Sequence, residues 1–232
     1  MAKVNVAVLG CGFWGTNQVR VFSELNACNL VAVSDINADN ARAISEKYHV
    51  DMYIDPSQLL ERKDVDFVSI CTPTITHAKL ALEAIGMGKH VLVEKPMTNT
   101  VEEAEEVIRK ASSQNVRVMV GFIERFNPAV RKAKEIMEKG DIGKVVLASA
   151  RRVSRWPERI GDVGVIKDLA IHDIDLICHL FGNEVTQVYA IAGSLAHRFE
   201  DYANITLSFK DGKSASIEAC LLYTSPSPRD RS

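Results

Sequence analysis

Six residues near the start of the chain, Gly10-Cys11-Gly12-Phe13-Trp14-Gly15, constrain its fold more than any other feature. They follow an apolar, β-branched run from Val4 to Leu9 and precede a stretch with apolar residues at helical spacing. Between a strand and a helix, the first glycine of such a run makes the tight turn. The second lets backbone approach a ligand closely, and the third packs helix against strand. A merely structural turn needs these glycines as well, but it does not need Asp35, which closes the next predicted strand about twenty residues on. There a carboxylate hydrogen-bonds the ribose hydroxyls of a dinucleotide whose pyrophosphate sits at the helix N-terminus. Gly10, Cys11, Gly12, Phe13, Trp14, Gly15 and Asp35 are therefore expected to bind the cofactor. No basic residue directly follows Asp35 to grip a 2′-phosphate, Arg42 being the nearest, so NAD is expected and NADP disfavoured.

Residues 1–122 alternate short β-branched runs with longer helical segments, the pattern of a parallel sheet with crossover helices. Strands are expected at 4–9, 30–34, 67–71, 90–94 and 116–121, and helices at 17–25, 38–48, 77–87 and 101–114. After Phe122 the pattern changes to a helix at 128–138, a strand at 144–152, an irregular loop, a helix at 165–181, and strands at 187–192, 204–209 and 214–219. The last two flank Asp211-Gly212, expected as a two-residue hairpin turn. The fold class is α/β: an N-terminal Rossmann doubly wound parallel sheet over 1–122, then an incomplete α+β domain with an open, mainly antiparallel sheet over 123–219. Residues 220–232, rich in Ser, Pro and Arg, resemble no packed element and read as a disordered, non-native tail.

The chain has 28 basic and 30 acidic side chains for a net charge of −2, so nothing global attracts nucleic acid or an anionic membrane. Neither partner is expected. No apolar run reaches the roughly 18–20 residues of a membrane span. The five cysteines include no C-x-x-C pair, which suits buried thiols in a reducing cytoplasm rather than disulfides or a zinc site.

Two further motifs sit at predicted carboxyl ends of strands, where open α/β sheets bind ligands. Thr72-Pro73-Thr74-Ile75-Thr76-His77 is one, from which Thr72, Pro73 and His77 are expected near the cofactor, although a capped helix start would look the same. Glu94-Lys95-Pro96 is the other, from which Glu94 and Lys95 are expected at the cofactor. A lysine there lies beside the nicotinamide, whose positive charge favours the neutral amine that takes a proton from a substrate hydroxyl. Its bland alternative is a surface lysine paired with Glu94.

The glycine run, Asp35, the Thr-Pro-x-x-x-His run and above all Glu94-Lys95-Pro96 resemble the Gfo/Idh/MocA family of NAD(P)-dependent oxidoreductases, over residues 3 to about 219. The resemblance implies a sugar, nucleotide-sugar or cyclitol substrate held on an α/β domain after the Rossmann domain. It also implies a catalytic role for Lys95 and for Asp168 and His172 in an Asp-x-x-x-His motif. On a helix these two share a face, so His172 meets a substrate hydroxyl and Asp168 orients the substrate or the ring. Asp175 and His179 extend that row, but no three ligands converge and no metal is expected. Gly121 to Pro128 and 159–165 are most similar to the branch containing UDP-N-acetylglucosamine 3-dehydrogenases. Asn127 is implied near the nicotinamide ribose or substrate. Within 151–159, Arg151 and Trp156 are candidates for substrate diphosphate and ring, against a plain solvated basic loop. Family members run on for about another hundred residues and often assemble, so a homo-oligomer is implied for the full-length form. The alternative to an enzyme is a non-catalytic nucleotide-sensing or substrate-binding module of the same fold.

Overall fold

A computed structural model describes residues 3–155, 163–182 and 184–222. Val4-Asn5-Val6-Ala7-Val8-Leu9 forms β1 (Val4–Leu9), and its last three residues have no solvent exposure. A strand apolar on both faces must be covered on both, which dictates a central position. It lies between β2 (Cys28–Ser34) and β4 (Phe67–Ile70) in a six-stranded, all-parallel sheet of order β3-β2-β1-β4-β5-β6, with β3 (Asp51–Tyr53), β5 (His90–Val93) and β6 (Val118–Val120). Side chains alternate along β1. Val8 packs with Val19 and Ile44 of α1 (Phe13–Glu24) and α2 (Ala38–Tyr48). Ala7 and Leu9 pack with Leu59, Leu80 and Val107 of α3 (Pro56–Leu60), α4 (Thr74–Gly86) and α5 (Val101–Gln114). The sheet is thus doubly wound, and the chain reverses direction across it between β1 and β4, where such sheets bind ligands.

The chain forms two compact units, Met1–Gly121 and Phe122–Ser232. The second unit opens with a 3-10 turn (Ile123–Phe126) and α6 (Pro128–Lys139), capped by the Asn127 side chain and ended by Gly140 at φ +76°. A four-stranded sheet of order β7-β10-β9-β8 follows, from β7 (Leu147–Val153), β8 (Val185–Gly193), β9 (Tyr202–Phe209) and β10 (Ser214–Cys220). Only β7–β10 is a parallel pair. Ile205, Leu207, Ala215 and Ile217 bury one face with Ile177 and Phe181 of α7 (Ile171–Phe181).

Several expectations change. The short β3 and α3 were not foreseen, and α1 begins at Phe13 rather than Asn17. The expected continuous helix over 165–181 starts with a π-helical segment, Ile166–Ala170, a wider winding often found at functional sites. The β9–β10 turn is longer than two residues, since Ser208 pairs with Ser214 and only Gly212 has positive φ. Lys210 and Asp211 make an ordinary turn and the glycine takes the left-handed position, so Asp211 is spared strain. The packed fold also runs past Ala219. Cys220 ends β10, Leu221 is buried in the core and Leu222 bridges to Arg155. Residues 223–232 of the expected tail lie outside the described residues. Among the described residues no helix is long and apolar enough to cross a membrane.

Candidate functional site

The glycine loop shows why each glycine stands where it does. Gly10 has φ +92°, and a Cβ there would lie 2.8 Å from the Cys71 carbonyl. A Cβ on Gly15 would fall 1.7 Å from the Gly10 carbonyl oxygen. Gly12 differs: its φ is −71° and a Cβ would meet nothing within 4 Å. Neither backbone conformation nor packing inside the chain requires glycine there, so its missing side chain leaves space for something outside the chain.

Helix α1 has no side-chain cap and no acidic residue in its first turn. By contrast Asn37, Asp55 and Thr100 cap α2, α3 and α5. Helix α4, behind Pro73, is likewise uncapped. These two N-termini follow β1 and β4, the strands flanking the switch point, where the positive end of a helix favours an anion. Asp35 stands at the loop's edge. Its carboxylate accepts from the Cys11 N–H at 2.7 Å and the Asn37 N–H at 2.8 Å. The Cys11 N–H is thereby committed, and its buried thiol is pushed up to about 12 by desolvation and then by the charge of Asp35. Cys11 serves the loop's shape, while Phe13 and Trp14 are exposed and pack edge to face. This open glycine position, uncapped helix and anchored carboxylate fit a dinucleotide.

Around β4 and β5 the expected residues divide. Thr72 accepts a hydrogen bond from the Thr76 hydroxyl at 2.7 Å. His77 is 1% exposed, and its two ring nitrogens lie 2.8 Å from the carbonyls of Pro96 and Thr72. It therefore ties the two loops together, with both ring nitrogens engaged within the chain. Half-buried Lys95 precedes Pro96 across a cis peptide. Glu94 turns inward to Gln18, whose Nε2 donates to it at 2.5 Å, and burial pushes its carboxyl up despite that donor.

In the second unit, Asp168 lies in the π-helical segment and is 5% exposed; His172 follows on α7, half-buried. The segment is held at its start by Glu200, whose backbone carbonyl accepts from the Val165 N–H at 2.7 Å. Gly164 leaves room for the Glu200 carboxylate, which a Cβ would meet at 2.1 Å. Asp175 does not extend the Asp168–His172 row as a ligand. Its buried carboxylate takes the Arg125 guanidinium through Nε and Nη2, holding that guanidinium more firmly protonated. His179 lies 3.4 Å from the Lys134 ammonium. No group of three or more potential metal ligands occurs among the described residues.

Arg151, a candidate for the substrate, is exposed. It pairs with Glu218 at 3.0 Å on the sheet's open face, in register with it, whereas Arg152 turns to the α7 face and donates to Asp173 at 2.9 Å. Strand alternation separates the two arginines, and only the β7 register decides which faces the helix. Asn127 caps α6 through its side-chain oxygen, 3.0 Å from the Ala129 N–H. Trp156 lies outside the described residues. Gln18 and Glu200 belong to no motif, and Arg125 and Arg152 lie within the 121–128 and 151–159 runs without standing out there; only their tertiary partners reveal all four.

Fold and loop define a dinucleotide-binding α/β unit followed by an open-sheet α+β unit. Residues 4–122 match the oxidoreductase family with an NAD-binding Rossmann fold, and residues 130–231 match the Gfo/Idh/MocA C-terminal domain; the chain belongs to the Gfo/Idh/MocA oxidoreductase family. It is 32% identical to the uncharacterized oxidoreductase YrbE of Bacillus subtilis, over 93% of this chain and 67% of that one. It is 31% identical to the myo-inositol 2-dehydrogenase of Thermotoga maritima, over 90% and 66%. The UDP-N-acetylglucosamine 3-dehydrogenase GnnA of Acidithiobacillus ferrooxidans superimposes with a TM-score of 0.86 at 30% identity, over 97% and 72%. The chain thus spans about two thirds of the length of the curated relatives it matches.

Proposed function

We propose that this chain carries the cofactor site and proton-transfer residues of an NAD-dependent dehydrogenase. Its substrate is the secondary alcohol of a sugar, a nucleotide sugar such as a UDP-N-acetylglucosamine, or a cyclitol. The open Gly12 position before the uncapped α1 carries this reading. NAD, when bound, accepts the hydride from the alcohol carbon. The chain's own residues handle the rest. N–H groups at the start of α1 hold the pyrophosphate, Asp35 accepts from the ribose hydroxyls and disfavours a 2′-phosphate, and Thr72, Pro73 and Asn127 line the cofactor. The Lys95 amine takes the hydroxyl proton as the C–H bond breaks, His172 hydrogen-bonds the same hydroxyl, and Asp168 orients it. The second sheet exposes Leu147, Tyr189 and Ile191, a surface suited to a second copy in the full-length protein.

The test is a cofactor-reduction screen of the full-length protein with NAD and NADP against UDP-N-acetylglucosamine, inositols and simple sugars. Lys95→Ala should keep NAD affinity and lose about 10²- to 10⁴-fold in turnover. NAD binding with no turnover of any substrate would instead identify a binding module, and a variant within about threefold of wild type would remove Lys95 from the chemistry.

A further inference from the structure

We propose that Gln18, through the Glu94 carboxylate, is a positioning residue for Lys95; the inference rests on the assignment of Lys95 as the base. Two hydrogen bonds in series carry it. The hydroxyl of fully buried Ser69 donates to Gln18 Oε1 at 2.6 Å, which fixes the amide's orientation and directs its nitrogen outward. That nitrogen donates to Glu94 Oε1 at 2.5 Å. Glu94 directly precedes Lys95 in the chain, so holding its carboxylate holds the turn that carries the lysine. The far side is closed by Gly121, where a Cβ would stand 3.0 Å from Glu94 Oε2.

The chain of bonds joins β4, α1 and the loop after β5. Helix α1 opens at the glycine loop, so the element that presents N–H groups to the pyrophosphate also sets the residue beside the base. A loose Glu94 would loosen the turn that carries Lys95, and a misplacement of about 1 Å near a reacting group costs up to roughly 100-fold in rate. The titratable groups facing Glu94 are Cys71 just after β4, His77 on α4 and Lys95 itself. Burial pushes the Cys71 thiol up to about 12, so it stays neutral through the range that matters.

Two substitutions in the full-length protein separate positioning from mere packing. Gln18→Met removes the donor and nearly keeps the volume. Gln18→Glu supplies a donor only while the two carboxyls share a proton; once that proton leaves, like charges repel. With NAD and either myo-inositol or UDP-N-acetylglucosamine as substrate, Gln18→Met should lower kcat about tenfold across pH 6 to 9, with KM for NAD within about twofold. Gln18→Glu should approach wild type at the acid end and fall to the Gln18→Met level as pH rises.

Both variants within about twofold of wild type at every pH, while Lys95→Ala is inactive, would overturn the inference and leave the base assignment standing. Equal, pH-independent losses accompanied by lower Tm would mark Gln18 as merely structural and also overturn it. Retained turnover in Lys95→Ala, or no turnover by wild type, removes the base assignment and this inference with it.

Discussion

Substituting Gly12 by alanine separates the two explanations of the glycine loop, because within the chain it is harmless. The added methyl meets no atom within 4 Å and φ is already −71°, so no strain arises. Alanine is a poorer N-cap than glycine by a few tenths to about 1 kcal/mol, but it stiffens the unfolded chain by about 0.4–1 kcal/mol. These nearly cancel, and Tm should move by less than about 3 °C. Bound NAD feels the methyl differently. A pyrophosphate seated against this backbone must retreat and lose one or two charge-assisted hydrogen bonds worth about 1.5 kcal/mol each, a roughly 10- to 100-fold weaker Kd. Gly15→Ala is the control with the opposite signature: its methyl would stand 1.7 Å from the Gly10 carbonyl oxygen, so α1 must move and the fold should lose more than about 3 kcal/mol. Calorimetric titration with NAD and a thermal melt suffice. An unchanged Kd with unchanged Tm in Gly12→Ala would show that the loop is a structural turn and that the space beside Gly12 holds no pyrophosphate.

The first unit was legible because its signals are local. A glycine run, a period change and an acid at a strand end each report on a few neighbouring residues, and β1, α2 and α5 fall where their patterns place them. The three-residue β3 carries too little pattern to stand out, and α3 too few turns. Failures in the second unit have tertiary causes. The π-helical winding at Ile166–Ala170 is fixed by Glu200, some thirty residues away, which no helical periodicity encodes. Arg151 and Arg152 are indistinguishable in a basic run, and only pairing with Glu218 and Ala219 of β10 assigns one to each face. Asp175 reads as an extension of the Asp168–His172 row until Arg125 is placed against it.

Asp35→Ala removes the acceptor for two backbone N–H groups as well as for the ribose, so NAD should bind at least about tenfold more weakly and the preference over NADP should narrow or reverse, as followed by quenching of Trp14. Wild-type protein that bound NADP more tightly would show that Asp35 does not face the ribose. Arg125→Met strands the Asp175 carboxylate, which is 6% exposed. The loss should be about 2–3 kcal/mol, below that of a fully buried pair because Arg125 is itself partly solvated, and Tm should drop by roughly 5–10 °C. Asp201 is fully buried and organises the β8–β9 loop. Burial pushes its carboxyl up, but N–H donors from Ala196, Leu195 and His197 outweigh that and hold it below the usual carboxylate range. A carboxyl depressed in the folded state binds its proton more readily when unfolded, so its stabilisation is complete above about pH 4 and is lost as pH falls through the folded value. Wild type should therefore exceed Asp201→Asn in urea midpoint by a constant margin between about pH 5 and 7, and the margin should shrink below about pH 4. A margin independent of pH down to about 2.5 would mean that the loop is held by shape alone and that the charge on Asp201 contributes nothing.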